Sequence, residues 1–190
     1  MIAIMLTDVF KFLADHADHK LEVVEGAFLF RQADVVKSLF LVEQGMIELT
    51  RHQKDGRAIV LQRAGVGMIV AEASLYSSIY HCDAVVGEES RVKAVAKSAV
   101  VSLLANNEAF AQLWAEFLAR EVQSARALID ILSRKTVAQR LDGWQAWQGG
   151  EAGSVSTDAP RGQWKNVAAQ IGVSPEALYR ELAIRRAKRG

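Results

Sequence analysis

The feature that most constrains this chain is the stretch from Asn106 to about Arg134, which reads as one continuous helix. It has no Gly or Pro and is rich in strong helix formers, and Asn106 or Asn107 can cap its start. Apolar residues recur in it at alternating steps of four and three, the heptad spacing that keeps one seam facing a partner helix. The seam consists of Ala111, Ala115, Leu118, Val122, Ala125, Ile129 and Leu132.

A second apolar row beside this seam indicates that the helix has more than one neighbour. The row consists of Phe110, Trp114, Phe117, Leu128 and Ile131. An ordinary core helix would also carry an apolar stripe. A dimer seam is favoured by context, because the helix connects a region of short β-type runs to a separate helical region, both described below. We therefore predict a dimerisation helix over residues 106–134.

Composition excludes several classes of protein. The 190 residues are 51% hydrophobic and 24% charged, which is ordinary for one or two folded domains and excludes disordered and fibrous chains. No apolar run reaches the roughly 18 residues of a membrane span, and the apolar opening soon meets Asp8 without a basic leader. We expect a cytoplasmic protein without membrane contact.

The single cysteine, Cys82, cannot form an internal disulfide or hold zinc or an iron–sulfur cluster alone.

Charge is distributed unevenly along the chain. Residues 1–105 carry 11 basic and 13 acidic side chains, whereas residues 106–190 carry 12 basic and 9 acidic ones. From Arg161 onward the only acidic residues are Glu176 and Glu181. A basic C-terminal region on a mildly acidic body predicts a polyanionic partner.

Residues 21–104 contain short β-type runs separated by glycine turns, which predicts a sandwich or a rolled barrel. An amphipathic helix over about residues 1–20, with Leu6, Val9, Phe10 and Leu13 inward, precedes them. The predicted strands are 21–24, 27–31, 39–43, 46–51, 58–63, 84–86, 91–96 and 100–103, with a hairpin turn at Asp55-Gly56. No nucleophile elbow, P-loop or HExxH pair occurs here, so we expect no enzyme. A metal-dependent enzyme on such a barrel is disfavoured because the four histidines are scattered.

The last stretch, residues 163–190, carries the sharpest motif. A short helix from Trp164 to Ile171 is followed by a turn at Gly172, and Ser174 caps a second helix with Pro175 at its first position. This is the helix-turn-helix pattern. Between it and the long helix we predict a helix over 135–147, then a loop at 149–154. The predicted core positions are Val137, Leu141, Trp144, Ala146, Trp147 and Trp164.

Taken together, the order of these elements resembles the Crp/Fnr family of transcription regulators. Turn glycines stand at Gly26, Gly45, Gly56, Gly65 and Gly67, and the phosphate cassette of the family's cyclic-nucleotide-binding β-roll is matched by Glu72, Leu75, Tyr76, Ala84 and Val85. The resemblance implies an α+β chain in three parts. These are a β-roll sensor over 1–105, a double-stranded jelly-roll-like barrel; the dimerisation helix over 106–134; and a helix-turn-helix domain over 135–190 that lacks a full wing.

The effector pocket implied by the resemblance consists of Ala71, Glu72, Ala73, Ser74, Cys82 and Asp83. The nucleotide-binding version has Gly at Ala71, Arg at Cys82 and Ser or Thr at Asp83. Loss of the Arg removes a bidentate phosphate contact, and an acidic side chain aimed at a phosphate would repel it. Cyclic AMP and cyclic GMP are therefore disfavoured, and the effector is unknown. Haem on His81 or Cys82 is disfavoured because adjacent strand residues face opposite sides.

The resemblance also assigns the residues that would meet DNA. Glu176 and Arg180 match the pair, four residues apart, with which the family's recognition helix reads base edges. Residues placed to meet phosphates are Lys165, Arg185, Arg186, Lys188 and Arg189. A merely solvated helix end would carry similar charges.

These patterns predict a homodimeric regulator on a palindromic double-stranded operator, with RNA polymerase and an unknown small molecule as further partners. The alternative is a ligand-binding or protein-interaction module with a degenerate DNA-binding head. The family usually continues into a β wing after the recognition helix, so the end at Gly190 motivates that alternative.

Overall fold

The computed structural model describes residues 2–53, 58–148 and 161–188, and the chain divides into two compact units, Met1–Phe117 and Leu118–Gly190. The longest helix, α3 (Glu108–Ser133), contributes residues to both units. The predicted hairpin turn at residues 54–57, the predicted loop at 149–154 and Arg189 lie outside the described residues.

The N-terminal unit is built on one antiparallel sheet. Its strands are β1 (His19–Val23), β2 (Phe28–Phe30), β3 (Ser38–His52), β4 (Ala58–Ala64), β5 (Ile69–Val70) and β6 (Asp83–Ala96). They follow the order β1-β6-β3-β4, with β2 on β6 and β5 on β3. Helix α1 (Ile2–Ala14) precedes the first strand in the chain, and helix α2 (Lys97–Asn106) follows the last one. The predicted α+β fold with an N-terminal β-roll is confirmed.

The strands β3 and β6 are longer than the sequence predicted. The runs 39–43 and 46–51 merge into β3, and the runs 84–86 and 91–96 merge into β6. Gly45, with φ of +80°, bends β3 instead of ending it, and the pairing with β6 shifts register on both sides of Met46. Such irregularities increase local twist, which curls the sheet.

One predicted strand is wrong, because residues 100–103 belong to the helix α2. The β-branched pair Val100-Val101 favours a strand locally, but Val100 is fully buried on one face of the helix. Packing therefore overrides local preference here. The short strand β5 was not predicted by the sequence at all.

The core of the N-terminal unit contains a stacked pair of aromatic side chains. Phe30 and Tyr80 lie with ring centroids 3.7 Å apart, and the Tyr80 hydroxyl donates to the Ser38 carbonyl at 2.7 Å. Burial raises the pKa of Tyr80, against the opposing effect of its backbone hydrogen bonds to Ser38 and Lys37. From α1, Val9 and Leu13 are buried, as predicted.

The helix α3 begins and ends within two residues of the prediction. Asn107 caps it, since its Oδ1 accepts from the Phe110 N–H at 2.9 Å. In the N-terminal unit the second row of α3 is an aromatic ladder in which Phe110, Trp114 and Phe117 are all buried. Ile131 is buried in the C-terminal unit. The predicted second row thus contributes to the core of both units.

The C-terminal unit consists of the end of α3 with α4 (Val137–Trp147), α5 (Arg161–Gln170) and α6 (Pro175–Ala187). A capping box starts α4, in which Thr136 and Gln139 satisfy each other's backbone N–H groups. The core consists of Ile131, Leu141, Trp144, Trp164, Val167, Ala168, Ile171, Leu178 and Leu182. Trp147 is 41% exposed and Ala146 is also exposed, so their predicted core role is wrong. Ala146 lies about 140° from Leu141 around the helix, whereas Trp147 follows Trp144 by one turn but is the last residue of α4.

A single guanidinium ties the end of α3 to the turn between α5 and α6. Arg140 on α4 donates from Nε to the Arg134 carbonyl at 2.9 Å, and from Nη1 to the carbonyls of Ile171 at 3.1 Å and Gly172 at 2.9 Å. Arg134 in turn pairs with Asp130 on α3 at 2.8 Å. These contacts satisfy carbonyl groups that helix ends leave without intrahelical partners.

Candidate functional site

The N-terminal unit contains a cavity of about 190 Å³ beside a single 3₁₀ turn, Glu72–Ser74. It is lined by Phe30, Leu49, Arg51, Leu61, Gln62, Ala71, Glu72, Ala73, Ser74, His81 and Cys82. Five of the six residues predicted for the effector pocket are in this lining. The structure therefore brings most of the predicted pocket together in one place.

The 3₁₀ turn begins from a left-handed residue. Ala71 is buried and has φ of +76°, a conformation that is unfavourable for any residue with a Cβ. The related cassettes place Gly at this position, and the observed backbone explains why. The substitution in this chain keeps the turn and adds a methyl group to the cavity wall.

Asp83 lies outside the cavity lining, contrary to expectation. Its Oδ1 accepts from the Gln32 N–H at 2.7 Å, its Oδ2 lies 3.2 Å from Nδ1 of His52, and its side chain is only 12% exposed. The carboxylate is thus engaged by the chain after β2 and by the end of β3. This placement corrects the idea that Asp83 points at a ligand's phosphate.

His81 and Cys82 both line the cavity, which corrects the argument that at most one of them does so. Strand alternation does not apply to them, because β6 begins only at Asp83. Burial raises the pKa of the Cys82 thiol, while the nearby Arg51 guanidinium acts in the opposite direction. Across residues 2–53, 58–148 and 161–188 no group of three or more His, Cys, Asp or Glu side chains could hold a metal ion.

Arg51 is the one charged residue among the six lining residues that were not predicted for the effector pocket. It stands two residues after Leu49 on β3, so both side chains face the cavity, and its Nη2 donates to the His81 carbonyl at 3.2 Å. On the paired strand β4, Leu61 has no partner in β3 and forms a bulge. This bulge places Leu61 and Gln62 together in the cavity lining. Alternation along β3 from the buried Leu49 could have identified Arg51.

In the C-terminal unit, α5 and α6 are joined by a tight turn at Gly172, which has φ of +65°. The Ser174 hydroxyl caps α6 by accepting from the Ala177 N–H at 3.2 Å, as predicted. Leu178 and Leu182 are buried, so α6 packs on the unit through that face.

The opposite side of α6 is open to solvent and carries Glu176 and Arg180. They stand one helical turn apart and therefore share a face. The backbone N–H of Glu176 itself, and then the Ser174 hydroxyl, hold the pKa of the Glu176 carboxyl below its usual value. The two residues predicted to read DNA bases thus place a carboxylate and a guanidinium side by side on an accessible face of α6.

The predicted phosphate contacts divide into two groups. Lys165, Arg186 and Lys188 are exposed. Arg185 instead forms ion pairs of 2.7 Å with both Asp142 and Glu181, donates to the Ala138 carbonyl at 3.0 Å, and is only 21% exposed. Its guanidinium holds α6 against α4, and this structural role competes with the predicted phosphate contact.

The predicted seam of α3 lies mostly on the surface of the single chain. Ala115, Val122, Ala125, Ile129 and Leu132 are exposed, and Ala111 and Leu118 are half-buried. Val122, Ile129 and Leu132 form a row of exposed large apolar side chains along this face, and such a row is more informative than one exposed residue. The seam is therefore available to a further surface. No helix in the described part of the chain is long and apolar enough to cross a membrane.

Comparisons with known proteins fit this geometry. The sequence profile of the family described as the cyclic nucleotide-binding domain matches residues 20–107. No curated protein sequence is significantly similar to the chain.

Among solved structures, FixK2 from Bradyrhizobium japonicum is 16% identical with a TM-score of 0.69, over 90% of this chain and 85% of that one. The c-di-GMP-responsive global regulator CLP from Xanthomonas campestris is 18% identical with a TM-score of 0.62, over 95% and 92%. The catabolite activator protein of Thermus thermophilus is 22% identical with a TM-score of 0.55, over 96% and 84%. Residues 20–107 thus match the cyclic nucleotide-binding domain family, and the chain shares its fold with transcription regulators of the Crp/Fnr type.

Proposed function

We propose that this chain is a homodimeric DNA-binding transcription regulator of the Crp/Fnr type that acts in the cytoplasm. The observation that carries the proposal is the orientation of α6, which buries Leu178 and Leu182 and leaves Glu176 and Arg180 exposed on its other side. A helix anchored in this way after a tight turn can enter the major groove with its N-terminal residues toward the bases.

The chemistry of the exposed pair suits base recognition. The guanidinium of Arg180 can donate to O6 and N7 of one guanine, and the carboxylate of Glu176 can accept from N4 of a cytosine. A glutamate carboxylate is ionised, and therefore an acceptor, at neutral pH, and the lowered pKa of Glu176 favours the same form. Lys165, Arg186 and Lys188 would fix the register through phosphates without reading sequence.

Dimerisation follows from the exposed seam of α3. Two copies joined along Ala115, Val122, Ala125 and Ile129 would present two copies of α6 to one duplex. A two-fold dimer matches a palindromic operator whose half-sites are one helical turn, roughly 34 Å, apart. A signal in the β-roll would then act by changing how the two α3 helices meet.

Replacing Arg180 by Ala should weaken binding to the preferred operator by about 1–3 kcal/mol and relax the base choice at one position, because one bidentate base contact is lost. The operator is first selected from a pool of random duplexes, and affinities are then measured by fluorescence anisotropy. Lys188→Ala is the matched control, since it removes an exposed positive charge from the same end of the chain. It should weaken selected and random duplexes equally.

The same assay over a salt series separates a regulator from a degenerate DNA-binding head. A DNA-binding protein should show log affinity falling steeply with log salt. Negligible affinity for every duplex at low salt would contradict the proposal, as would equal losses on selected and random DNA for Arg180→Ala. Light scattering that finds a monomer at the concentrations of the assay would remove the dimeric mechanism.

A further inference from the structure

The seam of α3 carries different side chains at its two kinds of position. In heptad notation the seam residues alternate between positions a and d. The large residues at a are Val122 and Ile129, and those at d are Leu118 and Leu132. In parallel coiled coils, β-branched residues at a with Leu at d favour two strands over three or four. The seam is therefore suited to one second copy of α3.

One charged residue stands on each flank of this seam. Glu121 directly precedes Val122 and so occupies position g, and Arg126 directly follows Ala125 and so occupies position e. The remaining flank positions along the seam are uncharged. They are Trp114 and Leu128 at g, and Gln112, Ala119 and Ser133 at e.

Neither charge is compensated within its own chain. Among the described residues, no ion pair includes Glu121 or Arg126. The residues three and four positions from Glu121 are all uncharged, and Asp130, four positions after Arg126, pairs instead with Arg134 at 2.8 Å. Glu121 is half-buried, and this burial raises the pKa of its carboxyl. A cation from outside the chain would offset the cost of that desolvation.

Parallel pairing of two copies brings the two flanks together. In a parallel two-helix coiled coil, position g of one helix faces position e of the next heptad of its partner, five residues further along. Glu121 would therefore face the partner's Arg126, and two-fold symmetry would make this contact twice. An antiparallel pair sets g against g and e against e, so Glu121 could not meet the partner's Arg126 in it.

We propose that Glu121 and Arg126 form a reciprocal ion pair between two copies of this chain, which fixes α3 in a parallel, in-register dimer. The inference rests on the homodimer of the proposed function and names the residues that set the direction and register of its interface. A shift of one helix by a heptad would lose both ion pairs, because no other flank position carries a charge. A helix with other charges at these positions would be a poorer partner than a second copy.

Charge exchange in the full chain tests the ion pair. Dissociation constants of the dimer are measured by analytical ultracentrifugation for wild type, Glu121→Arg, Arg126→Glu and the double variant. Each single reversal creates two pairs of like charges and should weaken the dimer about tenfold. The double variant exchanges the signs and should return to within about threefold of wild type. Gln123→Arg and Gln123→Glu add the same charges at an exposed position off the seam and should change nothing.

A disulfide tests the direction and register independently. Ile129 meets the partner's Ile129 only when the two helices are parallel and in register. Ile129→Cys should therefore form a covalent dimer under mild oxidation, because a disulfide needs closely approaching Cα atoms. Gln123→Cys, on the outer face, should not. Wild type, whose single cysteine is Cys82, gives the background.

Three results from a dimeric wild type would overturn the ion pair and leave the proposed regulator intact. They are a dissociation constant that responds to neither single reversal, a double variant as weak as the single ones, and no covalent dimer of Ile129→Cys. Circular dichroism identifies a variant that loses its fold, and Arg126→Glu, at an exposed position, is expected to keep the wild-type spectrum. A monomeric wild type would overturn the inference together with the dimeric mechanism, and DNA affinity of the same preparation then tests DNA binding separately.

Discussion

Replacing Gly45 by Ala should destabilise the N-terminal unit by about 2–5 kcal/mol, a large part of the stability of a small domain. The left-handed conformation, with φ of +80°, costs a residue with a Cβ about 1–2 kcal/mol. The added Cβ would also overlap the Glu89 carbonyl and the Ser90 hydroxyl, and it would stand 2.8 Å from Cα of Ser90. Because two of these neighbours are backbone atoms of the paired strand β6, they cannot move aside without breaking the ladder, and overpacking adds about 1–3 kcal/mol.

Gly67→Ala is the matched control for Gly45→Ala. Gly67 has φ of +84°, but a Cβ built there meets nothing within 4 Å. Gly67→Ala should therefore show the conformational cost alone, about 1–2 kcal/mol. Urea unfolding followed by circular dichroism measures both variants. Similar losses in the two would show that β6 accommodates the methyl group and that Gly45 only relieves backbone strain.

Replacing Arg185 by Ala should destabilise the C-terminal unit by about 2–3 kcal/mol. Breaking a buried ion pair by removing one partner costs about 3–5 kcal/mol, and the partial exposure of this site reduces that figure. The loss is large because Glu181, only 17% exposed, would keep its charge without the Arg185 guanidinium. The Ala138 carbonyl would lose a partner too. Tryptophan fluorescence during urea unfolding measures the change, since Trp144 and Trp164 are buried in this core.

Lys188→Ala serves again as the comparison, because Lys188 is exposed just beyond the last turn of α6. It should leave stability within about 0.5 kcal/mol of the parent. Arg185→Ala should lose DNA affinity only in proportion to the unfolded fraction. Unchanged stability combined with weaker binding to all duplexes would support the predicted phosphate contact of Arg185.

Periodicity predicted the helices and most of the strands because those signals are local. The seam spacing gave α3 within two residues, and the Ser174-Pro175 pair gave the start of α6. Residues 100–103 were predicted wrongly because burial of Val100 against the unit decides their structure. Gly45 was read as a turn, although only the pairing partner of a strand decides whether a glycine ends it or bends it.

A candidate site residue could be predicted from the sequence only where its position is determined by the helix or strand that contains it. Glu176 and Arg180 lie four residues apart on one helix, so their shared face follows from sequence. The partners of Asp83 lie 31 and 51 residues away, and the partner of Arg51 lies 30 residues away. Arg185 has one partner four residues away, Glu181, but its contacts with α4 span 40–47 residues. A charge whose partner is distant in sequence looks the same as a free charge until the fold brings the two together.

The Arg140 contacts bear on how a signal could reach α6 in the proposed regulator. One side chain joins the residue just after α3 to both carbonyls of the turn before α6, and a Cβ on Gly172 would lie 2.9 Å from Cδ2 of Leu132. We expect α6 to lack a hinge of its own at this junction. In the proposed regulator, a rotation of the last turn of α3 would then carry α6 with it as a rigid body, so that small angular changes at the seam would displace α6 along a DNA groove.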